Sequence, residues 1–211
     1  MLKSVSMVLA VATVTLALNV SGDVTFDRNR LALKEMDGMT VVSLERHTST
    51  WEVGAPSLPI AVAQFVVPPD MKVGGVAVEA VETETISGRY DIYPVQLPRA
   101  LSDPGPFEFA PPDPKHYGTA YPGKTVTVGQ QGSMFGYNIA SVFIAPVQYD
   151  GAGKLLVFHP RVRFTLQLEP ADLGYLRPGN RSAEARRRVE AQIEGIVLNP
   201  QDVAACAPRQ R

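Results

Sequence analysis

The side chains best suited to nucleophilic or metal chemistry are three histidines, His47, His116 and His159, and one cysteine, Cys206. None of the histidines stands at metal-ligand spacing from another His, Cys or carboxylate. Covalent catalysis needs a base held beside a Ser or Cys. Cys206 lies close to the C-terminus next to Pro208 and arginines, a poor setting for a nucleophile, and no nucleophile elbow is present. Gly129-Gln130-Gln131-Gly132 is a glycine-bounded turn without the helix that phosphate-cradling loops require. His159 precedes Pro160 at a strand-to-turn join and is expected to be solvated. The chain is therefore expected not to be an enzyme by itself and to carry no cofactor and no metal.

What remains are isolated cations. Lys115 and Lys124 sit in or beside a stretch from Pro94 to Pro122 that is dense in proline. Long irregular segments are uncommon in compact domains and are often functional where they occur. Such a stretch reads either as a stiff surface loop packed by its own Phe107, Phe109, Tyr117 and Tyr121, or as a presented binding loop. Arg186, Arg187 and Arg188 read either as a solvated helix face or as a processing site for an arginine-specific protease.

Strands must position these groups. Met39 to Leu44 is a β-branched run, and Leu58 to Val67 is apolar and bounded by prolines, which cannot donate to a ladder. Val76, Val78 and Ala80 alternate with Ala77, Glu79 and Val81. Tyr137 to Val147 is apolar on both faces, as a central strand covered on both sides would be. Leu155 to Phe158 returns after the Asp150-Gly151-Ala152-Gly153 turn. Val162, Phe164, Leu166 and Leu168 alternate with Arg161, Arg163, Thr165 and Gln167, which predicts one buried and one wet face. Near the end, Ser182 is placed to cap a helix whose apolar stripe is Val189, Ile193 and Ile196, and Asn199-Pro200 closes it. Many strands at short spacing with little helical pattern predict an all-β, antiparallel β-sandwich with one short C-terminal helix.

The composition supports a real core: hydrophobic residues are 45% and charged residues 19%, with a formal net charge of -1. That balance gives no footprint for nucleic acid or for an anionic membrane. The N-terminus reads as an export signal. Lys3 supplies the positive start, Val5 to Leu18 is uncharged and mostly apolar, and Ser21 and Gly22 follow. The run is shorter than the roughly 20 residues of a membrane-spanning helix. Cleavage is expected between Ala17 and Asp23, with no membrane attachment afterwards. The expected organisation is a signal peptide at 1–22, a sandwich at 23–175, and a helical junction or tail at 176–211. A single cysteine excludes an intrachain disulfide.

Three stretches resemble the N-terminal propeptide of gingipain-type (caspase-like, clan CD, family C25) cysteine proteases. The first is Gly54-Ala55-Pro56-Ser57-Leu58-Pro59 followed by Val66-Val67-Pro68. The second is Tyr121-Pro122 leading to the Val126 strand and Gly132. The third and most specific runs from Gly136-Tyr137 to Ile144-Ala145-Pro146-Val147-Gln148-Tyr149 and on through the Gly153 turn. The segment Ile196 to Val203 is similar to the junction between propeptide and protease in such precursors. The chain ends at Arg211 with no caspase-like His or Cys motif to carry over.

The resemblance implies a β-sandwich that helps a gingipain-type protease domain fold and holds it inactive as a zymogen until cleavage. The protease would be met in trans or come from an adjacent reading frame. It also implies secretion to the periplasm or beyond, and a basic side chain set into the protease's specificity pocket. Lys115 and Lys124 are the candidates for that contact, and either can equally be a solvated surface lysine. The competing reading is a secreted structural or adhesion β-sandwich, and a truncated protease precursor is a third.

Overall fold

The computed structural model describes residues 19–98, 102, 105, 107–174, 176 and 181–208. The apolar N-terminal run expected to be a signal lies outside them. Strands follow in the order β1 (Asn19–Thr25), β2 (Leu31–Met36), β3 (Met39–Leu44), β4 (Thr48–Ser49), β5 (Pro59–Val67), β6 (Met71–Val81) and β7 (Glu84–Ile86). After a one-turn helix α1 (Pro114–Tyr117) come β8 (Ala120–Tyr121), β9 (Val126–Met134), β10 (Tyr137–Ile144), β11 (Val147–Asp150), β12 (Leu155–Phe158) and β13 (Arg161–Pro170). Helix α2 (Ala183–Glu194) closes the sequence of elements, with a short 3-10 turn at Pro200–Asp202.

The fold is all-β and antiparallel, of the sandwich type. One sheet has the order β1-β13-β6, a second β4-β5-β10-β9, a third β7-β12-β11-β8, and β2 and β3 form a hairpin. The alternation of β13 is realised as expected. Val162, Phe164 and Leu166 are fully buried, whereas Arg163 and Gln167 are exposed. β13 is paired on both edges, with β1 and with β6. Its inward side chains meet Phe65, Val67, Ala140 and Val142 from β5 and β10 in one main core. Phe164 and Phe65 touch edge to face with centroids 5.8 Å apart.

β5 and β10 are covered on both faces along part of their length. Their second face carries Val66, Tyr137 and Ile139, which pack with Ile193, Val197, Val203 and Cys206 in a smaller cluster. Helix α2 and the tail thus sit on the sheet. Ser182 caps α2 as expected, its hydroxyl accepting from the Ala185 N–H at 3.2 Å. Ile196, expected on the apolar stripe, is 45% exposed. The helix stops at Glu194 and Gly195 caps it, so the next inward position falls to Val197.

Three further differences have local causes. The run from Tyr137 to Val147 is two strands in two sheets rather than one. The chain changes sheets at Ala145-Pro146, where the Ala145 N–H donates to Thr125 and Pro146 has no N–H to continue a ladder. The helix α1 was not legible as a helix in a proline-dense stretch, yet Asp113 caps it through the Lys115 N–H at 2.9 Å and Pro114 occupies its first turn. His159, expected to be solvated, is buried. Nε2 lies 2.8 Å from Gln148 Oε1 and Nδ1 3.3 Å from the Glu82 carbonyl. Burial lowers its pKa, and the Glu82 carbonyl opposes that shift.

Candidate functional site

The described ends of the proline-dense stretch are tied to each other and to the body of the fold. On the way out, the Val95 N–H donates to Ala55 and the Gly54 N–H to Val95. The Gln96 side chain then acts as a clamp across the base. Its amide donates to the Pro94 and Ala110 carbonyls at 2.9 and 3.1 Å, and its Oε1 accepts from the Ala110 N–H at 2.9 Å. On the return leg the Asp113 N–H donates to Gly54. Leu97 and Phe107, on either side of the base, are 61% and 59% exposed, and Phe109 leans edge-on against Tyr93. Of the prolines expected to stiffen the loop, Pro104 and Pro106 lie outside the described residues.

Beyond Asp113 the return leg is stitched to the third sheet. His116 is buried, with Nε2 3.0 Å from Glu52 Oε1 and its ring 5.1 Å from that of Tyr121. The Tyr117 hydroxyl donates to the Ile92 carbonyl at 2.7 Å. Burial raises the pKa of Tyr121, with the Glu52 carboxylate adding to it. The Gln148 amide donates to the Pro122 carbonyl and so ties the end of the loop to the His159 pair.

Lys115 and Lys124 stand at different places on this surface. Lys115 is on α1, three-quarters exposed, with Nζ 3.9 Å from Glu52 Oε1. An exposed pair of this length contributes little to stability. Lys124 lines two recesses. One, of about 160 Å³, is walled by Trp51, Tyr121, Phe143 and Ile60. The other is a groove of about 560 Å³ between β6 and β9. Trp51 is 63% exposed and packs on Phe143 with centroids 5.0 Å apart. Neither Trp51 nor the Gln96 clamp was singled out from the sequence. A lone tryptophan between Thr50 and Glu52, ahead of the Gly54-Ala55-Pro56 turn, was the available signal for the first.

Arg186, Arg187 and Arg188 lie far along the chain on α2. Arg188 pairs with Glu184 one turn earlier at 2.5 Å, Arg187 is exposed, and Arg186 is partly buried beside Tyr137 and Arg181. Cys206 is buried in the second core, and burial with nearby Asp202 and Asp70 pushes its thiol up to about 11. Burial of this kind disfavours the thiolate, the form in which cysteine attacks. Among the described residues there is no cluster of His, Cys, Asp and Glu able to hold a metal ion. No helix among them is long and apolar enough to cross a membrane.

These sheets, with a proline-dense segment clamped at its base, define an antiparallel sandwich. Comparison with known proteins gives this class a family. The C25 propeptide model (Propeptide_C25) matches residues 14–176, and the chain belongs to that family. Its fold is similar to that in the complex of Porphyromonas gingivalis RgpB pro- and mature domains. The TM-score there is 0.64 at 15% identity, covering 87% of this chain and 92% of that one. It is also similar to a chain from the structure of gingipain K of Porphyromonas gingivalis, which addresses zymogenic latency. In that case the TM-score is 0.59 at 23% identity, covering 75% and 90%. No curated protein matches the chain.

Proposed function

We propose that this chain is an exported propeptide module that binds a gingipain-type cysteine protease domain, assists its folding and holds it inactive, in trans or from an adjacent reading frame. The observation that carries the reading is the family match over most of the chain. The Gln96 clamp supports it physically, because a loop fixed at its base loses less freedom on binding. The module contributes no hydrolysis of its own. The part expected to reach the active site is the proline-dense loop, and Lys115 and Lys124 are the cations that would meet a protease preferring a basic residue.

The test is inhibition of a gingipain-type protease by purified residues 19–208. Lys115→Ala and Lys124→Ala should each weaken inhibition. Both side chains are surface-placed, so unfolding free energy should change by no more than about 0.5 kcal/mol. Arg187→Ala is the control: it should alter cleavage of the module more than inhibition by it, since the arginines of α2 are proposed as a processing site. Absence of binding at micromolar concentration to any such protease would remove the reading.

Export is part of the proposal; the expected boundary at 22 would cut β1, so the proposed signal ends by residue 18, ahead of the sandwich that runs to 175 and the helical junction or tail at 176–211. N-terminal sequencing of the exported protein should give a first residue between 18 and 24. The early end of that window suits the fold better. β1 begins at Asn19, and Val20 is buried opposite Leu166. Recovery of intact Met1 in a carbonate-resistant membrane fraction would mean an anchor instead.

A further inference from the structure

The second face of the β5-β10-β9 sheet is covered at one end and bare at the other. At the covered end Val66 and Ile139 lie under α2 and the tail. At the bare end Val62, Phe143 and Thr127 form one cross-strand row, and Val62 is 48% exposed. Trp51 lies on Phe143 at the end of this row. Gly129 keeps the row flat, because a Cβ there would sit 2.5 Å from the Phe143 ring. Single exposed apolar residues are ordinary; here the exposed Val62 and Trp51 both stand beside the half-buried Phe143 ring.

The row runs into an open sheet edge. β9 ends its sheet and β6 ends its own, so each has one side without a strand partner. Such an edge presents unpaired N–H and C=O groups to any extended chain that fits. Gln131 bridges the two strands at one end, its Oε1 accepting from the Val73 N–H at 2.9 Å and its amide donating to the Met71 carbonyl. Beyond that bridge they part. The β6–β13 register shifts on both sides of Gly75–Val78, and bulges of this kind bend a strand. The result is the groove of about 560 Å³ lined by Gly74, Gly75, Val78 and the Val126–Val128 edge.

Lys124 sits where the groove and the Trp51 recess meet and lines both. It is the charged residue of the groove, and among the described residues it forms no ion pair. Glu52, the other charge of the recess, is already engaged by His116 and Lys115. The strip therefore offers backbone groups along one edge, one uncommitted cation, and one aromatic recess beyond it.

We infer that this strip is a second docking site for the protease domain, taking an extended segment that pairs with the β9 edge, sets a carboxylate on Lys124 and places an apolar side chain against Trp51 and Phe143. The inference rests on the protease partnership proposed above; it takes Lys124 out of the specificity pocket and leaves Lys115 as the lysine proposed for that contact. Strand addition supplies affinity through main-chain bonds, and the side-chain sites supply selectivity.

Trp51 is the single tryptophan of the chain, so it reports the strip directly. The full chain is labelled with 5-fluorotryptophan and its ¹⁹F resonance followed while unlabelled gingipain-type catalytic domain is added. The specificity pocket of that domain is filled beforehand by a small covalent inhibitor. The resonance should move. Lys124→Glu should weaken binding to the blocked enzyme about tenfold, Lys124→Arg should retain it, and Val62→Glu should weaken it independently, all with unchanged melting. A complex that forms while the resonance stays still, or that forms only with the unblocked enzyme, overturns the strip and leaves the protease reading standing. No complex with either enzyme overturns both. A resonance that moves with the module's own concentration, without protease, assigns the strip to a second copy and overturns the inference.

Discussion

Replacing Phe164 with alanine is expected to cost roughly 3–5 kcal/mol of unfolding free energy, the range for removing a fully buried aromatic ring. The ring is completely buried between two sheets, edge-on to Phe65. Its seat is also shaped from the other side. Gly22 on β1 lies directly opposite, and a Cβ at that position would overlap the Phe164 ring. The glycine makes room for this side chain, so alanine at 164 leaves a void that β1 cannot fill by itself. Arg163→Ala removes an exposed side chain on the same strand and should stay within about 0.5 kcal/mol. Urea unfolding of the two variants side by side is the measurement. Equal losses would mean that the face assignment of β13 is wrong.

Phe164 was legible from the sequence because β13 obeys a simple rule. A strand paired on both edges, with one face in the core, writes strict alternation into its residues. β3 and β12 were legible for a related reason, as short β-branched or apolar runs with clear borders. Elsewhere the outcome depended on contacts distant in sequence. His159 is buried because Gln148 and the Glu82 carbonyl, 11 and 77 residues away, enclose its ring. No local pattern encodes that. Lys115 and Lys124 were picked out for their charge and segment alone. Their different settings, one against Glu52 and one at a sheet edge beside Trp51, come from strands far apart in the chain. The Gln96 clamp was hidden because glutamine in a loop is ordinary until the chain returns 14 residues later.

The tail shows the same limit and leads to the second large effect. Residues after α2 read as a junction, yet they form part of the second core. Val197 bridges to Gln64 in parallel fashion, and the Leu198 N–H donates to the Gln64 carbonyl at 2.8 Å. Asn199 then finishes this false strand with its side chain. Its Oδ1 accepts from the Val66 N–H at 2.9 Å and its amide donates to the Val66 carbonyl at 2.9 Å, with a further bond to Asp202. Asn199 is 1% exposed and Val66 fully buried, so water cannot substitute readily for the amide.

Leaving a buried donor or acceptor without a partner costs about 1–3 kcal/mol each. Asn199→Ala strips both Val66 groups and should cost roughly 2–4 kcal/mol, because some relaxation offsets part of the loss. Asn199→Asp is the sharper variant. It keeps an acceptor for the Val66 N–H, but it turns a carboxylate towards a buried carbonyl and towards Asp202. It should therefore be at least as damaging at neutral pH despite its matching shape. The loss should appear first as exchange of the Val66 amide and exposure of Cys206 to a thiol reagent, with the β13 amides still protected. If Cys206 stays unreactive and the unfolding midpoint is unmoved in both variants, the tail is not held by Asn199, and 176–211 is a junction resting on the sheet rather than a part of it.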